Sequence, residues 1–405
     1  MLPLVAALAV GAPTTITSTA ARTEIGVLPA LNYSSDTGFG FGAIAAIARI
    51  DPDRRPFAWR LELLAYASIK EVAGELELPV QTHYVRIDHP AFLGRPRLRL
   101  NAELAFRKQS NARWFGVGSA TPSDRRDRAG GRYNLYDRTF PSLSGSLRYA
   151  VVDRPVPIGK WRLEVFGGLS ISASFTRPYA GSLLEAQFAD ERARGAGEVL
   201  GEADHALLVG VAGLVFDTRD DEFIPAHGVF AEASVRGSPG VQEDLSYAGA
   251  YLSLAGFRAL GTPRLVLAGR LAADLLGGRV PFHQLGVMGG LNPVGAPGGG
   301  VAVRGVLAGR FAGKVKLVGN LELRAQELVR TGPFAWGAVA FLDAGRVWAD
   351  LGSGPPLDAD FPGLELGLGG GLRARWGRTF LIRVDFGYTP TEDTTGFYID
   401  VGQVF

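Results

Sequence analysis

Cysteine is absent from all 405 residues. That excludes a disulfide framework and thiolate metal sites, and it suits an oxidising compartment, where a spare thiol is a liability. Long hydrophobic runs are also missing. Beyond the first dozen residues, no stretch reaches the roughly 18 uninterrupted apolar residues of a membrane-spanning helix. A helical membrane protein is thereby excluded, although 47% of the residues are hydrophobic. Charge of one sign is lacking too. The 42 Lys+Arg stand against 40 Asp+Glu, so nothing marks a nucleic-acid partner. No Pro-, Ser- or charge-rich linker divides the chain, although its length would accommodate more than one soluble domain.

The start, MLPLVAALAVGA from Met1 to Ala12, is apolar and is followed by small and hydroxyl residues to Ala21. It reads as the h-region and cleavage zone of a secretory signal peptide over residues 1–21, although no Lys or Arg precedes it. The other reading is an apolar lead into a first strand. Residues 22–405 then form one domain.

What the chain has in abundance is a period of two. In RLRLNAELAFR, residues 97–107, Leu98, Leu100, Ala102, Leu104 and Phe106 alternate with Arg97, Arg99, Asn101, Glu103 and Arg107. A helix would smear these sets around its circumference, whereas a strand puts them on opposite faces. The same alternation runs through residues 57–70, 161–175, 378–388 and 395–405. These segments have the length a tilted strand needs to cross a bilayer, about 9–11 residues, against a mode of about 5–6 in soluble sheets. One apolar and one charged face fit lipid outside and a polar lumen inside, because unpaired charges in a dry core are too costly.

The alternation predicts strands near 25–33, 38–50, 57–70, 76–88, 97–108, 132–151, 160–175, 204–217, 228–237, 244–259, 264–276, 314–326, 334–344, 363–375, 378–389 and 395–405. Short links, such as GTPR at 261–264, alternate with long ones at 109–131, 177–203, 277–313 and 345–362. That asymmetry is characteristic of bacterial outer-membrane barrels. The fold class is therefore all-β: a transmembrane antiparallel barrel of about sixteen strands, with both termini on the short-turn, periplasmic side. Trp59, Trp161, Trp336 and Trp376 lie beside short turns, as an aromatic girdle requires. Ordinary packed aromatics are the alternative.

Four segments narrow the reading. VRGV, Val303 to Val306, lies in the longest loop, which is the sixth on the long-loop side. GNLELR, Gly319 to Arg324, and FLDAGRVW, Phe341 to Trp348, lie on the next two strands, with Glu322, Arg324 and Asp343 on the lumen face. DTRDDEFIPAHG, Asp217 to Gly228, forms a turn at the short-link end. In this order, the segments resemble the BamA/TamA-type barrel superfamily, also called the bacterial surface antigen family.

The resemblance implies that loop six folds into the lumen. Arg304 and Gly305 then anchor it, Arg304 pairs with Asp343, and Glu322 lies close by. Val306 stands where an aromatic residue is usual, which predicts a looser anchor. Asp217, Arg219, Asp220, Pro225 and Gly228 match the D-x-R-D…P-x-x-G turn. Gly396, Phe397, Ile399, Val401 and Phe405 resemble a C-terminal β-signal. The implied role is insertion or export of proteins at the bacterial outer membrane, through a weak seam between first and last strands. Pro29, which has no N–H, and Gly396 and Gly402 could weaken that seam. The implied partners are outer-membrane lipids, unfolded barrel clients or a separate periplasmic protein. The residues before Ile25 are too few for a POTRA domain.

The sequence offers little for other chemistry. His83, His89, His205, His227 and His283 have no metal-ligand spacing, and His83 is expected to face the lumen with Glu77 and Gln81. GGLNPVGAPGGG at 289–300 lacks the Lys-Ser/Thr of a phosphate loop. No cofactor, metal or enzymatic activity is expected. The alternative function is a channel for small polar solutes, since a barrel of this size can hold an aqueous pore.

Overall fold

The computed structural model describes residues 21–51, 54–72, 74–122, 131–156, 160–190, 197–242, 244–295, 297–332, 334–376 and 380–405. Apart from Ala21, the expected signal peptide lies outside the described residues. Sixteen antiparallel strands close into one barrel. Numbered in chain order, the first eight are β1 Arg22–Ser34, β2 Gly38–Asp51, β3 Arg54–Val72, β4 Val80–His89, β5 Leu98–Arg113, β6 Leu135–Thr139 and Ser142–Pro155, β7 Lys160–Pro178 and β8 His205–Asp217. The second eight are β9 His227–Pro239, β10 Ser246–Leu260, β11 Thr262–Gly278, β12 Val315–Thr331, β13 Phe334–Trp348, β14 Glu365–Trp376, β15 Phe380–Thr389 and β16 Thr394–Val401. The segment expected at 132–151 is interrupted between Thr139 and Ser142, so β6 is built from two pieces.

The alternation sorts the side chains. Leu104, Leu169, Leu252 and Leu372 are exposed on the outer wall, while Arg304's partners and Tyr66, Phe166 and Val266 are buried inside. His83 departs from expectation. Thr82 and Tyr84 are the buried neighbours on β4, so His83 lies on the exposed outer face and stacks on Phe106. The lumen face here is set by Tyr84, whose hydroxyl donates to Glu62 at 2.6 Å.

The long-link end is closed by a dome. Phe282, from the short helix Phe282–Leu285 in loop six, is fully buried. Trp114, Tyr136 and Phe188 surround it at 5.2–5.6 Å between ring centroids. Val117, Leu184, Val280, Leu285 and Ala349 complete an apolar cluster drawn from loop three after β5 (residues 114–134), loop four after β7 (179–204), loop six after β11 (279–314) and loop seven after β13 (349–364). The buried area of such aromatic residues makes the dome a core in its own right.

The barrel closes weakly. β1 and β16 share two residue pairs, Tyr33↔Ile399 and Ser34↔Tyr398. Each other neighbouring pair of strands shares at least eight. A local cause is visible. β16 stops at Val401, and Gly402 follows with φ of +83°, a left-handed conformation that leaves the strand.

The last strand was expected to run to residue 405, with Phe397, Ile399, Val401 and Phe405 on one outer face after Gly396. Phe397 and Ile399 do alternate with buried Tyr398. Phe405 instead turns into the lumen, packing against Phe257 and lying under the guanidiniums of Arg270 and Arg324. Arg324 also donates to its carbonyl at 3.1 Å. The cationic wall of β11 and β12 therefore outcompetes continuation of the strand.

Candidate functional site

Loop six, residues 279–314 between β11 and β12, descends from the dome into the barrel. Arg304 is fully buried. Its Nε and Nη2 donate to the two carboxylate oxygens of Asp343 at 2.7 and 2.9 Å, and its own backbone N–H donates to Asp343 at 3.1 Å. Its Nη1 lies 2.7 Å from Glu322 and 3.4 Å from Asp385. The Glu322 contact is an ion pair outside hydrogen-bond geometry, since that oxygen accepts no hydrogen bond. The Arg304 guanidinium also lies 3.4 Å from the ring centre of Phe341.

The wall extends this cluster. Arg324 donates to Glu322, Arg373 and Arg383 to Asp385, and Arg383 to Asp400. Arg304, Arg324, Arg373 and Arg383 thus face Glu322, Asp343, Asp385 and Asp400, with Arg270 beside them bonded to Asn320 and to the Val301 carbonyl of loop six. Mutual pairing offsets a desolvation cost that no isolated ion of this set could bear. Asn320 ties the loop to the same carboxylate, donating to Asp343 at 2.8 Å and to the Ala302 carbonyl at 2.7 Å.

Glycine makes the close approach possible. At Gly367 of β14, a Cβ would lie 2.2 Å from the Arg304 carbonyl oxygen. At Gly387 of β15, it would lie 2.8 Å from the Arg304 carbonyl carbon. Gly305 has φ of +100°, which turns the loop at its deepest point. Val306 is fully buried in an apolar cluster with Val303, Phe311 and Val347.

The loop then reaches both sides of the seam. The Ala308 N–H donates to Asp36, in the β1–β2 turn, at 3.2 Å, and Arg113 donates to the same carboxylate at 2.7 Å. Arg310 holds Glu392, in the β15–β16 turn, through two bonds of 2.8 and 2.9 Å, and the Thr394 hydroxyl donates to the Gly305 carbonyl. One loop thus braces the first and last hairpins at the end where the seam retains its two residue pairs.

Apart from Gly396, Phe397, Ile399, Val401 and Phe405 at and beyond the last strand, the resemblance-based residues fall in two places. Arg304, Gly305, Glu322 and Asp343 converge in the lumen. Asp217, Arg219, Asp220, Pro225 and Gly228 form the β8–β9 turn at the opposite end. There Arg219 forks onto Asp217, and one Asp220 oxygen accepts N–H bonds from Asp221, Ala226 and His227. Pro225 is buried in the turn, and Gly228 has φ of +107°. Asp36, Asn320, Arg310, Gly367, Asp385 and Gly387 were not singled out from sequence. Strand glycines and the lumen-phase Asp385 carried a signal, but Asp36 and Arg310, in turn and loop, had no periodicity to reveal them.

Relatives carry the same architecture. A family model of the Omp85 superfamily domain matches residues 97–405. The fold is similar to that of BamA from Haemophilus ducreyi lacking POTRA domains 1–3, with a TM-score of 0.59 and 15% identity over 94% of this chain and 70% of that one. CdiB from Escherichia coli gives 0.58 and 13% identity over 93% and 62% of the two chains. CdiB from Acinetobacter baumannii gives 0.52 and 14% over 95% and 66%. The chain spans 62–70% of the length of these proteins. No curated protein matches its sequence. At such identities the structural likeness speaks for the fold, and the family match covers most of the residues that build it: the chain belongs to the Omp85 superfamily.

Proposed function

We propose that this protein resides in the bacterial outer membrane and promotes insertion or export of other proteins there. The observation that carries the reading is the seam. Two residue pairs join β1 to β16, so among the described residues no strand pairs with the edge of β1 below Tyr33 on that side. An unpaired edge offers main-chain donors and acceptors to an incoming strand, the physics of β-augmentation. Within a bilayer, such an edge is otherwise expensive.

The similarity to BamA and CdiB supports the same reading. Partners of this kind are lipids, unfolded polypeptide and a periplasmic factor that delivers it. No step calls for a cofactor or for catalysis. A passive solute channel has less support, because loop six crosses the lumen and the apolar dome covers its outer end.

The test is folding of an unfolded barrel protein into liposomes that carry this chain. Acceleration over empty and porin-containing liposomes is the expected result. No acceleration, with leakage of small solutes instead, would overturn the proposal in favour of a channel.

A further inference from the structure

Arginine–tryptophan pairs repeat on the outer wall at the short-turn end. Arg49 of β2 stands opposite Trp59 of β3, and Arg154 of β6 stands opposite Trp161 of β7. Their phase is outward. Trp59 alternates with buried Ala58 and shares its face with exposed Leu63, while Trp161 shares its face with exposed Val165 and Leu169. Arg258 of β10 occupies a third outward position, beside lumen-facing Phe257 and opposite exposed Leu267. Trp161 is 55% exposed, Arg154 and Arg258 are exposed, and Arg49 is half-buried.

These three arginines differ from those of the lumen. Inside, Arg86, Arg107, Arg148 and Arg162 each hold a glutamate. Among the described residues, no carboxylate lies within ion-pair distance of Arg49, Arg154 or Arg258. Arg49 reaches the Thr23 hydroxyl at 3.3 Å. A guanidinium on the lipid face is costly in hydrocarbon and tolerable near the interface. Tryptophan marks that interface, where its ring sits at headgroup depth. The anion present there is the headgroup phosphate, and a guanidinium fork matches two phosphate oxygens.

We infer that Arg49, Arg154 and Arg258 bind phospholipid headgroup phosphates at the short-turn rim, with Trp59 and Trp161 setting the depth of the first two sites. The inference rests on the membrane reading above and adds to it the ligand class and the residues. The first site has a further consequence. β2 pairs directly with β1, so β1 alone separates lipid held by Arg49 from the weak seam.

The experiment reconstitutes the full chain and an R49Q/R154Q/R258Q variant into phosphatidylglycerol or phosphatidylcholine vesicles. It then measures phospholipid phosphorus retained per protein after extraction into detergent. Basic side chains near an anionic surface contribute roughly fivefold each in affinity. The wild type is expected to retain phosphatidylglycerol preferentially, and the variant to lose most of it. Excess inorganic phosphate is expected to leave the wild-type lipid in place, and displacement would overturn lipid as the ligand in favour of free phosphate. Equal retention by a variant that inserts normally would overturn the inference while leaving the membrane reading intact. Failure of the wild type itself to enter vesicles, read by protease protection, would overturn that reading. Single variants R154Q and R258Q, each expected to lose about fivefold, carry the same test if the triple variant misfolds.

Discussion

Arg304 and Asp343 are joined by three hydrogen bonds: two from the guanidinium, at 2.7 and 2.9 Å, and one from the Arg304 backbone N–H, at 3.1 Å. The backbone bond fixes the loop itself, and the fork fixes the side chain. Both groups are fully buried, so neither can fall back on water. Removing the arginine would leave Asp343, Glu322 and Asp385 short of a positive charge.

Arg304→Ala is therefore expected to destabilise the inserted loop by about 3–5 kcal/mol, the range for breaking one side of a buried pair. Arg304→Lys keeps the charge without the fork and is expected to recover part of that. Limited proteolysis of loop six, with thermal unfolding in detergent, measures both. An Arg304→Ala protein as resistant and as stable as the wild type would show that the cluster does not hold the loop.

A second prediction leaves every charge in place. Gly387→Ala would put a methyl group 2.8–2.9 Å from three atoms of Arg304 and Gly305. Real Cβ atoms do not approach so closely, so the loop must lift from β15. Overpacking of this kind costs about 1–3 kcal/mol. Gly256→Ala on β10, where no heavy atom lies within 4 Å, is the control and should be silent. If both variants behave alike under proteolysis of loop six, the close packing is unimportant.

The barrel was legible in the sequence because the lipid and lumen faces impose a strict period of two, seen most clearly in Arg97 to Arg107. Where that constraint ends, so does legibility. β6 breaks near Pro141, and the chain leaves the strand at Gly402, because contacts with Arg270 and Arg324 decide the path of Phe405. His83 was assigned to the lumen together with Glu77 and Gln81, whereas buried Thr82 and Tyr84 fix the phase of its strand. The Arg304–Asp343–Glu322 constellation came from a family resemblance; its extension through Asp385 and Arg383 was not read from the sequence, although the period of two on β15 puts both on the buried lumen face. The bonds of Asp36 and Arg310 to loop six depend on how loops and turns pack in space, which no local pattern encodes.

Acid should loosen the dome. His283, in loop six, has its Nε2 3.0 Å from Nε2 of His205. Burial, then the positive charge of Arg138, then His205, lower its pKa well below the ordinary 6.5. A histidine of depressed pKa is neutral when folded and takes up a proton when exposed. Its contribution is therefore fully present above pH 6.5 and falls as the pH drops below that value. Proteolysis of loops four and six should accelerate between pH 7.5 and pH 5 (round values on either side of the ordinary imidazole pKa of about 6.5), and His283→Gln should flatten that dependence. An unchanged pH profile in the variant would rule the pair out as its source.

The seam gives the most direct test of mechanism, and the absence of native cysteine makes it clean. Tyr33 and Ile399 are register partners across the closure. Cysteines placed at both positions form a disulfide that has no competitor elsewhere in the chain. If client strands enter by separating β1 from β16, oxidation should abolish accelerated client insertion, and reduction should restore it. The same pair placed at Leu214 and Ala233, partners within the fully bonded β8–β9 hairpin, should leave activity unchanged on oxidation. The comparison removes oxidation itself as a cause. Undiminished insertion by the oxidised Tyr33→Cys/Ile399→Cys protein, with cross-linking verified by mobility, would mean that clients do not pass between the first and last strands.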